Sequence, residues 1–304
     1  MSKEQFPIGF WSYTDIKKHP VNASSVQDWV DAGMTLPQSP DYDGSDAGQV
    51  RKISAILDAA HKKGLRLILC DSRLYYTKVT SAGADTYRDN MQHAAKTLGK
   101  HPAVFGFMVG DEPGRNEFDA ICQAVRIQRE VAPQLTPFTN LLPWYPNVHP
   151  VVGFASWHDY LDAYVKQSGT PLLCYDCYAQ MNPYTHWEWD MYFRNLNEHR
   201  KVSQRNGINF WTTPLSVGHF NYRCPKENDL RWQLNTAVAH GARGIMWFFF
   251  YMREPLDNYR VAPIDEHWER TETFEWLGRV CRTFLKTTAP VVMDLTLENV
   301  SHIG

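Results

Sequence analysis

The chain alternates short apolar runs with longer amphipathic stretches along its whole length, and this alternation constrains the fold more than any other feature. Apolar runs bounded by turn residues are typical of buried strands, and strands that alternate with helices favour parallel βαβ units. Strands are predicted over residues 7–13, 35–37, 66–70, 104–109, 137–141, 172–175, 208–213 and 244–250. Helices are predicted over residues 50–63, 86–98, 118–131, 157–165, 189–205, 228–240 and 273–285.

The count of eight strands favours a closed barrel over an open sheet. In the helix predicted over 50–63, apolar residues recur at the three- and four-residue spacing of one buried stripe. Gly64, Gly169, Gly207 and Gly241 each follow a helical stretch and precede a strand, as helix C-terminal caps do. Because 304 residues also suit one such domain, we predict an α/β protein with a (β/α)8 TIM barrel fold. A doubly wound open sheet is the alternative.

Domain boundaries follow from the end of the eighth unit. No low-complexity linker divides the chain, so residues 1–289 are predicted to form one barrel. Residues 290–304 have the pattern of a further strand. We interpret this strand either as the start of a truncated β-rich domain or as padding for the barrel.

Charge and hydropathy exclude several classes of partner. The net charge is -2 and no block of Lys and Arg stands out, so neither nucleic acid nor an anionic membrane is an expected partner. The longest apolar run, residues 245–252, is too short to cross a bilayer. The N-terminus has no secretory leader, which predicts a soluble protein that is cytoplasmic, or secreted or periplasmic after loss of its leader. The oligomeric state stays open.

The sequence predicts no metal and no cofactor. Cys174 and Cys177 have C-x-x-C spacing, but no second pair of ligands with zinc spacing follows, so buried thiols are expected. The histidines also lack the spacing of a metal site.

The residues that follow the strands carry the functional signal, because active sites of parallel barrels form at the C-terminal ends of the strands. These positions are rich in carboxylates and aromatic side chains. Acids can protonate a leaving oxygen, while flat aromatic faces accept the apolar face of a sugar ring. We therefore expect a carbohydrate substrate. The predicted substrate-binding residues are Trp11, Asp71, Arg73, Asn140, Trp144, Tyr175, Tyr178, Trp211, His219, Trp247 and Tyr251, with the segment 184–189 at the rim.

The segment Gly110-Asp111-Glu112-Pro113 is the sharpest single signal. A buried strand ends directly in two carboxylates. Adjacent side chains on a strand point to opposite faces, so only one of the pair enters a pocket unless the backbone breaks there. An acidic helix N-terminus would give the same letters. In the context of aromatic strand ends, we predict that Glu112 is a general acid/base and that Asp111 supports it.

Several segments resemble the barrel glycosidases related to clan A, the β-galactosidase-like enzymes. The resemblance lies in the fourth-strand segment that ends in Asp-Glu-Pro, the stretch Asp28 to Thr35, the stretch Ile56 to Leu69, and Tyr175-Asp176 with Tyr178 on the sixth strand. The segment Ala239 to Phe250 is similar to their last units, so the likeness covers nearly the whole chain. The resemblance implies that Glu112 matches the acid/base of the clan.

One departure from the clan leaves the mechanism open. The clan's retaining enzymes carry a nucleophilic Glu at the end of strand seven, whereas residues 210–219 contain no carboxylate. Asp176 is the first candidate partner, as a nucleophile at ~5 Å from Glu112 or as a base for water at ~6.5–9.5 Å. Alternatively, Asp111 and Glu112 act together on a 2-acetamido sugar, or Glu254 supplies the second carboxylate.

The predicted function is a glycoside hydrolase that acts on an oligo- or polysaccharide, with a β-galactoside-like substrate favoured. A substrate-assisted N-acetylhexosaminidase that uses the Asp111/Glu112 pair is one alternative. A non-catalytic carbohydrate-binding barrel is the other alternative, because a barrel that had lost its catalytic activity would also lack the strand-seven Glu.

Overall fold

A computed structural model describes residues 5–178, 187–254 and 258–301. Its strands are β1 (Ile8–Phe10), β2 (Gln38–Tyr42), β3 (Leu67–Asp71), β4 (Val104–Asp111), β5 (Phe138–Asn140), β6 (Leu172–Asp176), β7 (Asn209–Thr213) and β8 (Ile245–Trp247). They form two four-stranded parallel sheets, in the orders β2-β3-β4-β5 and β6-β7-β8-β1.

Backbone hydrogen bonds at two seams join the sheets into one ring. At one seam, the Leu141 N–H donates to the Cys174 carbonyl at 2.7 Å, which links β5 to β6. At the other seam, the Leu36 N–H donates to the Ile8 carbonyl at 2.9 Å, and the Ile8 N–H donates to Thr35 Oγ1 at 2.8 Å. The predicted (β/α)8 barrel is therefore confirmed, and the open-sheet alternative is excluded.

The helices pack around this ring through their apolar stripes. In the described part of the chain they are α1 (Val26–Asp31), α2 (Ala47–Lys62), α3 (Thr77–Ser81), α4 (Ala84–Thr97), α5 (Phe118–Val131), α6 (His149–Val152), α7 (Trp157–Ser168), α8 (Trp187–Asn206), α9 (Glu227–Ala239), α10 (Glu272–Thr287) and α11 (Ala289–Val292). In α2 the buried residues include Ile53, Ile56 and Leu57, as the spacing predicts. None of these helices combines the length and the apolar content that a membrane span requires.

The hydrophobic core has two layers. The larger layer lies between the strands and the helices, and the smaller one fills the ring itself. Ile68, Met108, Phe138, Cys174 and Met246 are all buried in the inner layer. Alternate residues of a strand face opposite layers. Only the strand residues that face the inner layer can therefore reach the mouth of the barrel.

Two sequence predictions are corrected here. The second strand lies at Gln38–Tyr42 and not at 35–37, because its polar side chains are satisfied inside the wall: Ser39 Oγ accepts from the Cys70 N–H at 3.0 Å. The predicted strand from residue 290 is also wrong, since Ala289–Val292 is helical and residues 293–301 have no regular structure. Arg243 donates to the carbonyls of Val292 and Leu295 and so fixes this segment against the barrel.

Candidate active site

Three strand ends bring acidic and amide side chains together at the C-terminal mouth of the barrel. Asp111 ends β4, Asn140 ends β5 and Asp176 ends β6. They face a cavity of about 330 Å³. Its lining also includes Trp11, Tyr13, Glu112, Pro143, Cys177, Tyr178, Met191, His219, Phe220, Tyr222, Phe248, Arg253 and Tyr259.

A break in the backbone at Glu112 lets this residue line the same cavity as the adjacent Asp111. Glu112 has a φ of +45°, in the left-handed region that a side chain with a Cβ rarely adopts. Its N–H donates to the Asn140 carbonyl at 2.9 Å, which continues the β4–β5 pairing past the strand end. Regular strand alternation ends at this residue, so Asp111 and Glu112 line the same cavity. Through this opening Glu112 is more exposed to solvent than Asp111, although the surrounding walls still desolvate its carboxyl group.

One amide group connects two of the carboxylates. Asn140 Nδ2 donates to Asp111 Oδ1 at 3.1 Å and to Asp176 Oδ1 at 2.9 Å. Asn140 Oδ1 in turn accepts from Thr213 Oγ1 at 3.3 Å. Thr213 ends β7, the strand on which the clan A resemblance would place a nucleophilic Glu. In this chain the strand ends in a neutral hydroxyl, which orients Asn140.

Glu112 and Asp176 are in direct contact, and each affects the proton affinity of the other. Their carboxyl groups share a hydrogen bond. Burial, together with the negative charges of Asp176 and Asp111, raises the pKa of Glu112 well above its usual range. Burial also raises the pKa of Asp176, but hydrogen bonds from Asn140, Tyr178 and Glu112 oppose the rise. Their shared hydrogen bond raises the pKa of Glu112 and lowers that of Asp176, so Glu112 is the donor of the pair.

Asp111 has a raised proton affinity of its own. Its side chain is partly shielded, and burial, with the nearby charge of Asp176, raises the pKa to about 7. The hydrogen bond from Asn140 and the positive charge of Arg253 act in the opposite direction. Asp111 can therefore change its charge state near neutral pH.

Aromatic rings form the remaining walls of the cavity. The rings of Trp11 and Tyr13 stack at 5.7 Å between centroids, and those of Tyr178 and Phe248 at 5.1 Å. His219 stacks on Tyr259 at 4.8 Å. The acidic groups thus lie beside flat apolar faces, which is the combination expected for a sugar ring.

A second cavity of about 420 Å³ adjoins the first along the ends of β1 to β3. The two cavities share Trp11, Tyr13 and Asp111. Asp71 lines the second cavity, where its carboxylate is already paired with Arg73 at 2.6 Å. Within the described residues, no group of three His, Cys, Asp or Glu side chains is arranged to hold a metal ion.

Several predicted residues do meet at the mouth. Trp11, Asp111, Glu112, Asn140, Asp176, Tyr178 and His219 all line the first cavity. Glu254, considered as a second carboxylate, is exposed and is not part of the lining. Most of the predicted rim segment 184–189 falls outside the described residues, although Trp189 in α8 packs against Trp232.

Five predicted aromatic residues lie elsewhere, which corrects their assignment to the substrate site. Tyr175 stacks on His199 at 3.7 Å, in the layer between the strands and the helices. Trp247 is fully buried and contacts the Cys281 thiol of α10.

The other three predicted aromatic residues also lie outside the lining of the first cavity. Tyr251 is buried and accepts a hydrogen bond from Trp29 Nε1 at 2.7 Å. Trp211 fills the barrel interior near the N-terminal ends of the strands. Trp144 lies beside the cavity but not in its lining, and the Arg194 guanidinium covers its ring at 3.6 Å.

The prediction also missed residues that line the cavity. Phe248, Arg253 and Tyr259 come from the long segment after β8, and Phe220 and Tyr222 from the segment after β7. These residues were not predicted because they lie further along the chain than the first positions after each strand. The signal available was the density of aromatic and basic residues over 219–223 and 248–260.

Comparisons with known proteins agree on the fold. No protein-family model and no curated protein matches the chain. Among solved structures, β-galactosidases from the psychrophilic Marinomonas ef1 and from Rahnella sp. R3 are similar, with TM-scores of 0.70 and 0.68 at 13% and 14% identity. They match 95% and 96% of this chain, which spans 62% and 57% of their own lengths.

A third similar structure is the endo-1,4-β-D-mannanase from Thermotoga petrophila RKU-1, with a TM-score of 0.63 at 10% identity over 93% of this chain and 99% of that one. At such identities the likeness establishes the barrel fold alone.

Proposed function

We propose that the chain is a glycoside hydrolase in which Glu112 is the general acid/base. The observation that carries the proposal is the convergence of Asp111, Glu112 and Asp176 in one aromatic cavity at the C-terminal mouth of the barrel. A pair of carboxylic acids with unequal proton affinities is what glycosidic bond cleavage requires. The fold likeness to β-galactosidases and a mannanase supports the same class.

The hydrogen bonds around the two carboxyl groups suggest different roles for them. Glu112 holds the proton and would deliver it to the glycosidic oxygen as the bond to the anomeric carbon breaks. Asp176 accepts hydrogen bonds from Asn140 and Tyr178, which stabilise its charged form. It is therefore our candidate nucleophile, forming a bond to the anomeric carbon that water later hydrolyses while Glu112 removes the proton of that water.

The contact between these groups favours retention of configuration. An inverting enzyme keeps its carboxyl groups ~6.5–9.5 Å apart to leave room for water, while a retaining pair is ~5 Å apart. Carboxyl groups that share a hydrogen bond leave no space for a water molecule between them. We therefore expect the product formed first to keep the anomeric configuration of the substrate.

A specific observation also supports the substrate-assisted alternative. Asp111 lies in the same cavity as the proton donor Glu112. In an N-acetylhexosaminidase, Asp111 would orient the acetamido group of the substrate, whose oxygen then attacks the anomeric carbon. Replacing Asp176 would then affect turnover less than replacing Asp111.

The substrate is proposed to be an oligo- or polysaccharide, with β-galactosides as the first to screen. Two adjoining cavities that share Trp11 and Tyr13 offer space for neighbouring sugar units on either side of Asp111. The similarity to two β-galactosidases gives the starting configuration.

The test is a panel of aryl α- and β-glycosides, including 2-acetamido sugars, with the anomer of the first product followed by NMR. Glu112→Gln should lower kcat on poor leaving groups by about 10²- to 10⁴-fold, and less on dinitrophenyl glycosides that need little protonation. Asp176→Asn should lower turnover on every leaving group.

Glu117→Gln is the matched control, since Glu117 follows Glu112 by five residues and bonds the Gly114 N–H outside the cavity lining. Wild-type turnover by Glu112→Gln would remove the assignment. Binding of sugars with no hydrolysis across the panel would favour the non-catalytic carbohydrate-binding barrel.

A further inference from the structure

Arg253 lies in the cavity but takes no part in the proposed proton transfer. Arg253 follows β8 and lines the first cavity together with the three carboxylates. Its guanidinium lies 3.9 Å from the centroid of the Tyr13 ring and 5.2 Å from that of Tyr259. Arg253 Nη1 donates to the Tyr259 hydroxyl at 3.1 Å. Two aromatic rings and one hydrogen bond therefore hold the group in one orientation.

The charge of Arg253 has no ion-pair partner in the part of the chain that the structure describes. Arg73, Arg223 and Arg270 each form an ion pair with an aspartate there. Arg253 forms none, and over the same residues its Nε and Nη2 atoms make no hydrogen bond. A planar guanidinium with one free edge matches the geometry of a carboxylate, which can accept two parallel hydrogen bonds.

We propose that Arg253 binds a carboxylate on the substrate, so that the sugar in the first cavity is a hexuronic acid. This inference rests on the proposed glycosidase function and names its substrate class. A hexuronide must enter a cavity that already holds three acidic groups, and without a cation the like charges would oppose binding. Arg253 supplies that cation and would distinguish hexuronides from neutral hexosides.

The kinetic test compares matched nitrophenyl hexuronides and hexosides of gluco and galacto configuration. The wild-type protein should prefer the hexuronide in kcat/KM by about tenfold or more, the size of a charge-assisted hydrogen-bond pair. Arg253→Gln should abolish this preference, because it should lower kcat/KM on the hexuronide by about tenfold more than on the hexoside. Arg253→Lys keeps the charge without the planar fork and should retain an intermediate preference. Arg231→Gln, at an exposed arginine of α9 paired with Glu227, is the control.

A binding measurement separates this inference from the proposed function. Isothermal titration of the wild-type protein with free D-galacturonate and D-glucuronate should show binding about tenfold or more tighter than with D-galactose and D-glucose. Arg253→Gln should remove the difference, while its thermal unfolding midpoint reports whether it is folded. D-galactose 6-sulfate is the third ligand, because a sulfate ester offers the same charge with a different geometry.

Each outcome decides one of the two proposals. Arg253-dependent binding of hexuronates without hydrolysis of any glycoside would support the inference and remove the glycosidase assignment. Hydrolysis of neutral hexosides without a hexuronide preference would overturn the inference and keep the glycosidase. Equal losses on both substrates in Arg253→Gln, with a shifted pH profile, would overturn it by showing that Arg253 acts through Asp111. Equal or tighter binding of the sulfate ester would overturn the assignment to a carboxylate.

Discussion

At the scale of single residues, Asn140 determines how the acidic cavity can work. One Nδ2 group donates to both Asp111 and Asp176, and these bonds oppose the rise that burial imposes on the pKa of each acid. The Asn140 hydrogen bond therefore stabilises the ionised form that Asp176 would need as a nucleophile.

Replacing Asn140 by Ala should therefore shift the pH dependence of turnover. Loss of the donor raises the pKa of Asp176, so the acidic limb of the kcat/KM profile should move upward by about one pH unit. We expect kcat at the optimum to fall on the order of tenfold. Thr213→Val is the matched control, because it removes only the hydroxyl that orients Asn140 and leaves both donated bonds possible. An acidic limb that stays in place in Asn140→Ala would contradict this role.

The backbone at Glu112 gives a prediction about stability. A residue with a Cβ at φ +45° is strained, whereas glycine adopts this conformation readily. Glu112→Gly should therefore unfold at higher urea than Glu112→Ala, by about 1 kcal/mol in the free energy of unfolding. At Glu130, in helix α5, the order of the same two substitutions should reverse. Equal stability of the two variants at 112 would show that the local strain is negligible.

Residue types at strand ends predicted the acidic groups better than the aromatic ones. A carboxylate is rarely placed inside a core, so Asp111, Glu112 and Asp176 could be assigned to the mouth from their positions alone. Tyr175 and Trp247 fit the core as well as the cavity, and only the register of the barrel decides which layer they face. The same ambiguity applies to Trp211, which points inward but lies at the opposite end of the barrel.

At the scale of elements, the strand pairs depend on positions without a side chain. A Cβ on Gly106 of β4 would lie 1.7 Å from the Thr136 carbonyl oxygen, and one on Gly9 of β1 would lie 2.0 Å from the Leu36 carbonyl oxygen. Both clashes are with backbone that already pairs with a neighbouring strand. The close approach at these two places lets the β4–β5 and β1–β2 walls pack together.

Gly106→Ala should consequently destabilise the barrel strongly. The clash cannot be relieved by a side-chain rotation, so the strands must separate, and we expect a loss of about 3 kcal/mol or more in unfolding free energy or failure to fold. Gly48→Ala, in the first turn of α2, is the control: its Cβ would come closest to the Asp46 side chain, at 3.1 Å, so we expect a change of less than about 1 kcal/mol. Urea unfolding of the two variants measures the difference. A Gly106→Ala protein with wild-type stability would show that β4 and β5 can move apart freely.

The sequence predicted the limits of elements whose apolar residues recur with a regular period. It did not predict elements that are held mainly by hydrogen bonds of buried polar side chains. Helix α5 has the predicted limits because its apolar stripe is long and regular. Strand β2 reads Gln-Ser-Pro-Asp-Tyr, which has no apolar alternation. Its Gln38 and Ser39 side chains are buried because they accept backbone hydrogen bonds from Ser12 and Cys70. No pattern of apolar residues can indicate a strand that is held in this way.

At the scale of the whole molecule, the acids of the first cavity oppose folding at neutral pH. An acid whose pKa is higher in the folded chain than in the unfolded chain binds its proton more tightly when folded. Such a group contributes stability below its unfolded pKa and loses that contribution as the pH rises through its folded pKa. The pKa of Asp111 is raised from 3.8 to about 7, so its contribution is lost over this range. Retaining a carboxylate there weakens the fold under the conditions in which it could serve catalysis.

Asp111→Asn should therefore lower activity and raise the melting temperature, and the rise should depend on pH. The amide cannot ionise and still accepts the Asn140 hydrogen bond, so the variant should melt on the order of 3 °C above the wild type at pH 8. The gain should be much smaller at pH 4, where Asp111 keeps its proton in the folded state and is partly protonated in the unfolded state. Asp89→Asn, at an exposed position of α4, should give no such pH-dependent gain. Scanning calorimetry from pH 4 to 8 measures the difference, and a gain of the same size at every pH would show that ionisation of Asp111 is not its cause.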